Sequence, residues 1–214
     1  MGGGSSEMPE QKDFLQRVYK VTSRAGAHAL YQDWAADYET VVAENGYITP
    51  TRCAEALAAH VDDLTAPLLD LGCGTGLSGM AVREVGFTTI DGTDFSTEML
   101  RQAAAKKGLY RCLIAANLDA GLPGKPGAYE HLAAVGIFSP NHAPASLLGA
   151  AIAGLPAGGC FVFSLNDHCL AVSSYTAALD QIAAAGEAEI IFNEYGPHLP
   201  EQDLGAEVYV LRRR

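Results

Sequence analysis

The stretch LLDLGCGTGLSG, residues 68–79, places an acidic residue, Asp70, in a short apolar run and follows it with three glycines at alternate positions. A strand of a parallel sheet is apolar on both faces, so this run predicts a buried strand that leads through a turn into a helix. Gly72, Gly74 and Gly76 form the turn. Glycine adopts backbone angles that other residues avoid and lets a ligand approach the main chain. A plain tight turn needs one glycine, so three predict a ligand-binding loop.

Short apolar runs and helical segments alternate through the rest of the chain. The runs PLLDLG, FTTIDGTD, RCLIAAN, LAAVGIF and GGCFVFSLN read as strands, and helical patterns separate most of them. This alternation predicts an α/β fold with a doubly wound, parallel sheet between two layers of helices. The last two runs, EAEIIFNEYG and EVYVLRR, are joined by a connection too short for a crossover helix. We therefore expect them to be antiparallel neighbours.

The N-terminal part of the chain differs from the rest in composition. Residues 1–12 are rich in glycine and serine and are predicted to be a flexible leader. The following residues, 13–62, read as helices, and the alternating pattern occupies 63–214. With no linker or internal repeat in between, residues 13–214 are predicted to form a single domain.

The overall composition excludes several classes of protein. Acidic residues outnumber basic ones by 25 to 14, and the net charge of −11 disfavours binding to nucleic acid. No stretch has the length and apolar character of a membrane span, and no signal peptide is evident, so a soluble, cytoplasmic protein is expected. The basic ending, residues 212–214, is short and is predicted to be a solvated chain end.

The cysteines and histidines show no ligand spacing. The five cysteines are scattered, odd in number and never arranged as CxxC, which argues against a disulfide framework and a structural zinc. The six histidines are equally dispersed. We therefore predict no bound metal.

A second motif, IDGTDFSTEML, places Asp94 at the carboxyl end of the next strand. In open α/β sheets ligands bind at that edge, and a carboxylate there can accept hydrogen bonds from ribose hydroxyls. Ser96 is predicted to cap the following helix. A dinucleotide fold would have G-x-G-x-x-G, but here the third glycine comes one residue early and Leu77 stands in its place. Asp70 would repel a pyrophosphate and suits a cationic amine, so a nicotinamide-dependent oxidoreductase is disfavoured.

These residues resemble a known family, the class I S-adenosylmethionine-dependent methyltransferases. LLDLGCGTG and GTDFSTEML carry the resemblance. It implies a Rossmann-like sheet of seven strands with the last strand antiparallel, and S-adenosylmethionine as the cofactor across the ends of the first strands. YQDWAADYETVVAENGYITP, VGIFSPNHAP and LPAGGCFVFSLND extend the resemblance to the Williams-Beuren-region methyltransferase-like proteins and their bacterial relatives. By this analogy the N-terminal helices form a lid over the cofactor; an aromatic stripe that only packs in the core is the alternative.

The resemblance also implies a set of cofactor-binding residues in these stretches. Family members commonly have an aspartate after the third strand for the adenine, where this chain has Asn117, and Asp119 could substitute. Phe138 or Tyr38 could lie near the sulfonium. The implied residues are Tyr31, Trp34, Tyr38, Asp70, Gly72, Cys73, Gly74, Gly76, Leu77, Asp94, Phe95, Met99, Asn117, Leu118, Gly136 and Phe138.

The expected reaction is methyl transfer to a small-molecule nucleophile by in-line displacement, which demands alignment more than acid or base catalysis. His142 is either a general base or a loop residue at a helix N-terminus. Asn166 and Asp167, after the fifth strand, could orient a substrate or start the next helix. A catalytically silent S-adenosylmethionine-binding sensor or partner subunit is the alternative function. The acceptor and the oligomeric state stay open.

Overall fold

The computed structural model describes residues 38–139 and 142–214. The predicted leader, and with it Tyr31 and Trp34 of the predicted lid, lies outside the described residues. The domain boundaries at residues 12 and 62 accordingly stay predictions.

Seven strands form one sheet in the order β3-β2-β1-β4-β5-β7-β6. The first five are parallel, and β7 is antiparallel to both of its neighbours, β5 and β6. This arrangement confirms the predicted Rossmann-like sheet and its antiparallel last strand. The strands are β1 Leu68–Leu71, β2 Ile90–Asp94, β3 Cys112–Ala115, β4 His131–Ala134, β5 Cys160–Asn166, β6 Ala188–Leu199 and β7 Leu204–Arg213.

Helices cover both faces of the sheet. In the described part of the chain they are α1 Tyr38–Glu44, α2 Thr49–Ala58, α3 Leu77–Glu84, α4 Thr97–Ala105, α5 Ser146–Gly154, α6 Asp167–Leu170 and α7 Ser173–Ala184. Short 3-10 turns occupy Leu118–Ala120 and Pro200–Gln202.

The core has one layer on each face of the sheet. On one face, Leu57 of α2 and Val82 of α3 pack against strand residues such as Val162. On the other, Leu148 of α5 and Tyr175 of α7 pack against β1, β4 and β5. Two buried faces explain why the central strands read as continuous apolar runs. The strand order reverses between β1 and β4, which places the switch point of the fold at the glycines that follow β1.

The predicted solvated chain end is found only in part, because Arg212 and Arg214 are exposed but Arg213 is half-buried. The guanidinium of Arg213 donates hydrogen bonds to the carbonyls of Ile152 at 3.1 Å and Ala153 at 2.6 Å, and also to that of Leu155. These carbonyls belong to the last turn of α5 and its cap, where a helix leaves its acceptors without internal partners. Arg212 similarly donates to the carbonyl of His60 at 2.8 Å. The prediction does not hold for Arg213, because β7 is an inner strand and brings this residue against the end of α5.

All five cysteines are free thiols. Within residues 38–139 and 142–214, no group of three or more metal-ligating side chains comes together. None of the helices described above combines the length and the apolar character needed to cross a bilayer.

Candidate functional site

The three glycines after β1 have different surroundings, although all three have positive φ. A Cβ atom on Gly74, where φ is 53°, would meet no atom within 4 Å. On Gly72 it would lie 2.5 Å from Cγ2 of Ile137, so that side chain covers the first glycine closely. Gly76 instead approaches Leu109, Tyr110 and Lys106 on the opposite side. We call residues 72–76 the glycine loop; its open position is Gly74.

A cleft runs along the carboxyl ends of the strands beside the glycine loop. It contains most of the residues predicted from the sequence: Tyr38, Gly72, Gly74, Asp94, Phe95, Met99, Asn117, Leu118, Gly136 and His142. The lining is completed by Asp119 and by five residues that were not predicted from the sequence: Ala116, Val135, Ile137, Ala143 and Pro144. These small or apolar residues carry no chemical signature that would have distinguished them from core residues.

A smaller inner cavity adjoins the cleft and shares the glycine loop as its wall. Cys73 and Leu77, both predicted, line this inner cavity rather than the cleft. Tyr47 and Thr75 also line it, and neither was predicted. The Tyr47 hydroxyl lies where it would be only 2.3 Å from a Cβ atom on Gly136, so a glycine at position 136 makes room for the tyrosine.

Asp94 links the glycine loop to the end of β2. One of its carboxylate oxygens accepts a hydrogen bond from the N–H of Gly74 at 3.0 Å, and the other accepts one from the N–H of Ser96 at 2.8 Å. The Ser96 hydroxyl in turn accepts the N–H of Met99 at 3.2 Å, which confirms the predicted helix cap. A carboxylate has about four acceptor positions, so Asp94 can bind further donors from the cleft.

Asp70 does not line either cavity, in contrast to the expectation that it flanks the ligand. It is fully buried beneath the glycine loop, and its Oδ2 accepts hydrogen bonds from the hydroxyls of Ser78 at 2.6 Å and Tyr110 at 2.7 Å. Its Oδ1 has no hydrogen-bond partner among the described residues. Burial raises the pKa of Asp70 to about 6, partly offset by the two hydroxyl donors.

Tyr110 reaches Asp70 because two glycines leave space for its ring. A Cβ atom on Gly79 would lie 2.2 Å from the Tyr110 hydroxyl oxygen, and one on Gly92 would lie 3.0 Å from its ring. This tyrosine was not predicted from the sequence. Glycines inside a helix and a strand were the available signal, since such positions often mark a close approach by another group.

Phe138 and Gly76, both predicted to bind the cofactor, line neither cavity. Phe138 is buried in the core, edge-on to Phe163 at 5.7 Å and to Tyr175 at 6.0 Å between ring centroids. Its ring is therefore part of the core. Gly76 is absent from the lining of both cavities because it packs against the segment after α4.

Asn166 and Asp167 start the next helix, which was one of the two alternatives from the sequence. The side chain of Asn166 caps α6 by accepting the N–H of Cys169 at 3.1 Å. Asp167 accepts the Tyr195 hydroxyl at 3.0 Å and the N–H of Gly205 at 2.7 Å. Both side chains thus stabilise the end of the sheet.

The far end of the cleft carries a mixture of polar side chains. The Asn117 oxygen accepts the N–H of Asp119 at 3.0 Å, at the start of a 3-10 turn. The ring centroid of His142 lies 6.5 Å from that of Phe95. Polar acceptors, an aromatic ring and apolar walls such as Met99 can together bind a flat, partly polar ligand.

No family model matches the chain. It is 30% identical over 189 residues to human methyltransferase-like protein 27, with 86% of this chain and 76% of that protein covered. The crystal structure of a TehB-like S-adenosylmethionine-dependent methyltransferase from Corynebacterium glutamicum has the same fold, with a TM-score of 0.63 at 16% identity over 87% of this chain and 99% of that chain. The [4+2]-cyclase SpnF has a TM-score of 0.60 at 17% identity over 76% and 81%.

The two structural neighbours show the fold alone, since their sequences have diverged far from this one. The sequence match to the human protein extends over most of both chains. The chain belongs to the class I S-adenosylmethionine-dependent methyltransferases, enzymes that use S-adenosylmethionine as their cofactor.

Proposed function

We propose that the cleft binds S-adenosylmethionine and that the enzyme transfers its methyl group to a small-molecule nucleophile by in-line displacement. The proposal depends on one observation: Gly74 and the carboxylate of Asp94 share one cleft at the switch point of the sheet. The backbone of Gly74 is open there, because a Cβ atom on it would meet no atom within 4 Å. A nucleoside needs this combination of open backbone and hydroxyl acceptor.

The residues present fit the cofactor. Asp94 would accept the ribose hydroxyls, because its carboxylate lines the cleft and a carboxylate offers about four acceptor positions. Met99 and Leu118 would form the apolar walls for the adenine. The acceptor for the adenine amino group is either Asn117 or Asp119, both of which line the cleft. When bound, S-adenosylmethionine supplies a methyl group activated by a sulfonium.

The chain's own contribution to the reaction is alignment and access. In-line displacement requires the nucleophile at roughly 3 to 3.5 Å from the methyl carbon, and a rigid cleft supplies that geometry. The apolar wall formed by Val135, Ile137 and Pro144 would exclude water from the acceptor. His142 lines the cleft, and in this proposal an imidazole nitrogen of His142 would accept a proton from the nucleophile.

The net charge of −11 supports a small-molecule acceptor over nucleic acid. A screen of thiols, amines and carboxylates with methyl-labelled S-adenosylmethionine tests this part of the proposal. Turnover of at least one of these acceptors is expected. Tight cofactor binding without any turnover would instead favour a silent binding protein.

Calorimetric titration with S-adenosylmethionine, S-adenosylhomocysteine and NAD tests the cofactor site. Both sulfur nucleosides should bind and NAD should not. Asp94→Ala should weaken S-adenosylhomocysteine binding by at least about tenfold, since it removes a charged hydrogen-bond acceptor. Asp180→Ala, on the exposed surface of α7, is the matched control and should bind normally. Unchanged affinity in Asp94→Ala would remove this residue from the site.

The role of His142 has a separate test in the same assay. His142→Gln should lower turnover by about tenfold or more at unchanged cofactor affinity, if the imidazole accepts the proton. Full activity in this variant would assign His142 to the loop structure alone.

The same proposal treats residues 13–214 as one methyltransferase domain behind a flexible leader. A chain lacking residues 1–12 should therefore bind S-adenosylhomocysteine with unchanged affinity. A loss of binding in the calorimeter would assign the leader to the site.

A further inference from the structure

Lys106 connects three separate parts of the molecule. It follows α4, and its ammonium donates hydrogen bonds to the carboxylate of Glu39 at 2.5 Å and to the carbonyl of Thr75 at 2.8 Å. Glu39 lies in the first turn of α1, and Thr75 belongs to the glycine loop. One side chain therefore joins the beginning of α1 to the glycine loop.

The third glycine of the loop gives Lys106 its path. A Cβ atom on Gly76 would lie 3.5 Å from Cδ of Lys106, so the aliphatic part of the lysine runs directly over this glycine. Gly76 lines neither cavity, unlike the other two glycines of the loop. We infer that position 76 serves the contact with Lys106 and its neighbours rather than contact with a ligand.

Fixing Glu39 also fixes Tyr38, the preceding residue, which lines both the cleft and the inner cavity. We propose that Lys106 is a positioning residue: its ion pair with Glu39 holds Tyr38 against the glycine loop and thereby strengthens cofactor binding. The proposal rests on the proposed function, because the cleft must be the cofactor site. Breaking the pair would let the first turn of α1 move away from the loop and leave that side of the cofactor less covered.

The rest of α1 does not depend on this ion pair. Val41 and Val42 are buried, which holds the helix on the core by apolar contact. The pair itself is partly exposed, with 23% of the Lys106 side chain and 39% of the Glu39 side chain accessible. Its loss should therefore affect the position of one helical turn and leave the fold intact.

The experiment compares S-adenosylhomocysteine binding by the full chain with and without the pair. Glu39→Gln removes the charge and keeps the shape, and Lys106→Met keeps most of the stem. Each should weaken binding by about threefold to fivefold, the range for a partly exposed ion pair, and the double variant should be no weaker than Lys106→Met. The controls are Glu44→Gln, at the other end of α1, and Lys107→Met, next to Lys106. Both residues are exposed, and both variants should bind as the wild type does.

Salt dependence and thermal stability distinguish positioning from a general structural role. Wild-type affinity should fall between about 0.02 M and about 0.5 M sodium chloride, and Glu39→Gln should lose most of that dependence. The melting temperature of free Glu39→Gln should stay within about 2 °C of wild type. If Lys106→Met fails to fold, Glu39→Gln and the salt series still decide the question.

Two results would overturn the proposal. Glu39→Gln with wild-type affinity and wild-type salt dependence would show that the pair does not act on the site, and the cofactor assignment would survive. Wild-type protein that binds neither S-adenosylmethionine nor S-adenosylhomocysteine would overturn the proposed function together with this inference.

Discussion

The open position of the glycine loop allows a test in which strain and site occupation are separated. Gly74 has φ of 53°, and Gly186, after α7, has φ of 69°. A Cβ atom would meet nothing within 4 Å at either position. Alanine therefore causes no clash at either residue and introduces the same left-handed backbone strain. The two positions differ in that only Gly74 lines the cleft and the inner cavity.

The stability effects of Gly74→Ala and Gly186→Ala should be alike. A non-glycine residue in the left-handed region costs about 1 to 2 kcal/mol, and the lower entropy of the unfolded alanine chain offsets about 0.4 to 1 kcal/mol. We expect each variant to lose about 1 kcal/mol of unfolding free energy, which corresponds to a drop in melting temperature of about 2 to 4 °C for a chain of this size. Urea denaturation and thermal melting measure both values.

The binding effects should differ sharply. A methyl group on Gly74 would occupy space that the cofactor needs, so S-adenosylhomocysteine affinity should fall by at least about tenfold, or about 1.4 kcal/mol. Gly186→Ala should bind as the wild type does in the same calorimeter. If Gly74→Ala loses the expected stability but binds S-adenosylhomocysteine with wild-type affinity, the placement of the ligand over this glycine is refuted.

Three further variants, with Arg214→Met as a control for the third, test the buried network and the end of the chain by urea denaturation. Tyr110→Phe removes a hydroxyl that donates to the buried carboxylate of Asp70, so the unfolding free energy should fall by about 1 to 3 kcal/mol; an unchanged value would contradict this role. Burial raises the pKa of Asp70 from 3.8 to about 6, so the folded state binds this proton more tightly than the unfolded state does. The stability that this proton contributes to the wild type is therefore lost as the pH rises through that interval. Asp70→Asn should abolish that loss, so its unfolding free energy relative to wild type should rise by on the order of 2 kcal/mol from pH 4 to pH 7. If the difference in unfolding free energy between variant and wild type stays constant across this range, the raised pKa of Asp70 is contradicted. Arg213→Met leaves the carbonyls at the end of α5 without their donor and should cost about 1 to 3 kcal/mol, whereas Arg214→Met, whose ion pair is exposed, should change stability by less than about 1 kcal/mol; equal effects would be evidence against the contacts of Arg213.

The features that the sequence predicted correctly depend on neighbouring residues in the chain. The apolar run before Gly72, the Ser96 cap and the short connection between β6 and β7 are each readable within about a dozen positions. They determine the strand, the helix start and the antiparallel pairing without reference to distant residues. The carboxyl ends of neighbouring parallel strands share one edge, so Gly74 and Asp94 could be brought together from topology alone.

The features that it missed depend on contacts between distant residues. Asp70 lies beneath the loop because Tyr110, forty positions later, reaches it through the space left by Gly79 and Gly92. Phe138 was expected near the ligand from its position after β4, but it packs in the core, and no local pattern distinguishes the two orientations. Tertiary packing decides such cases.

The position of β7 within the sheet has a consequence for how the protein is made. Residues 204–213 lie between β5 and β6, so β6 can join the sheet only through a strand that is synthesised after it. During translation, the edge of β5 and the edge of β6 that each pair with β7 remain without their native partner until residues 204–213 leave the ribosome. Unpaired strand edges are templates for association with other chains. We expect the nascent protein to need protection by chaperones at this late stage, and the final β-hairpin to close the sheet in one cooperative step.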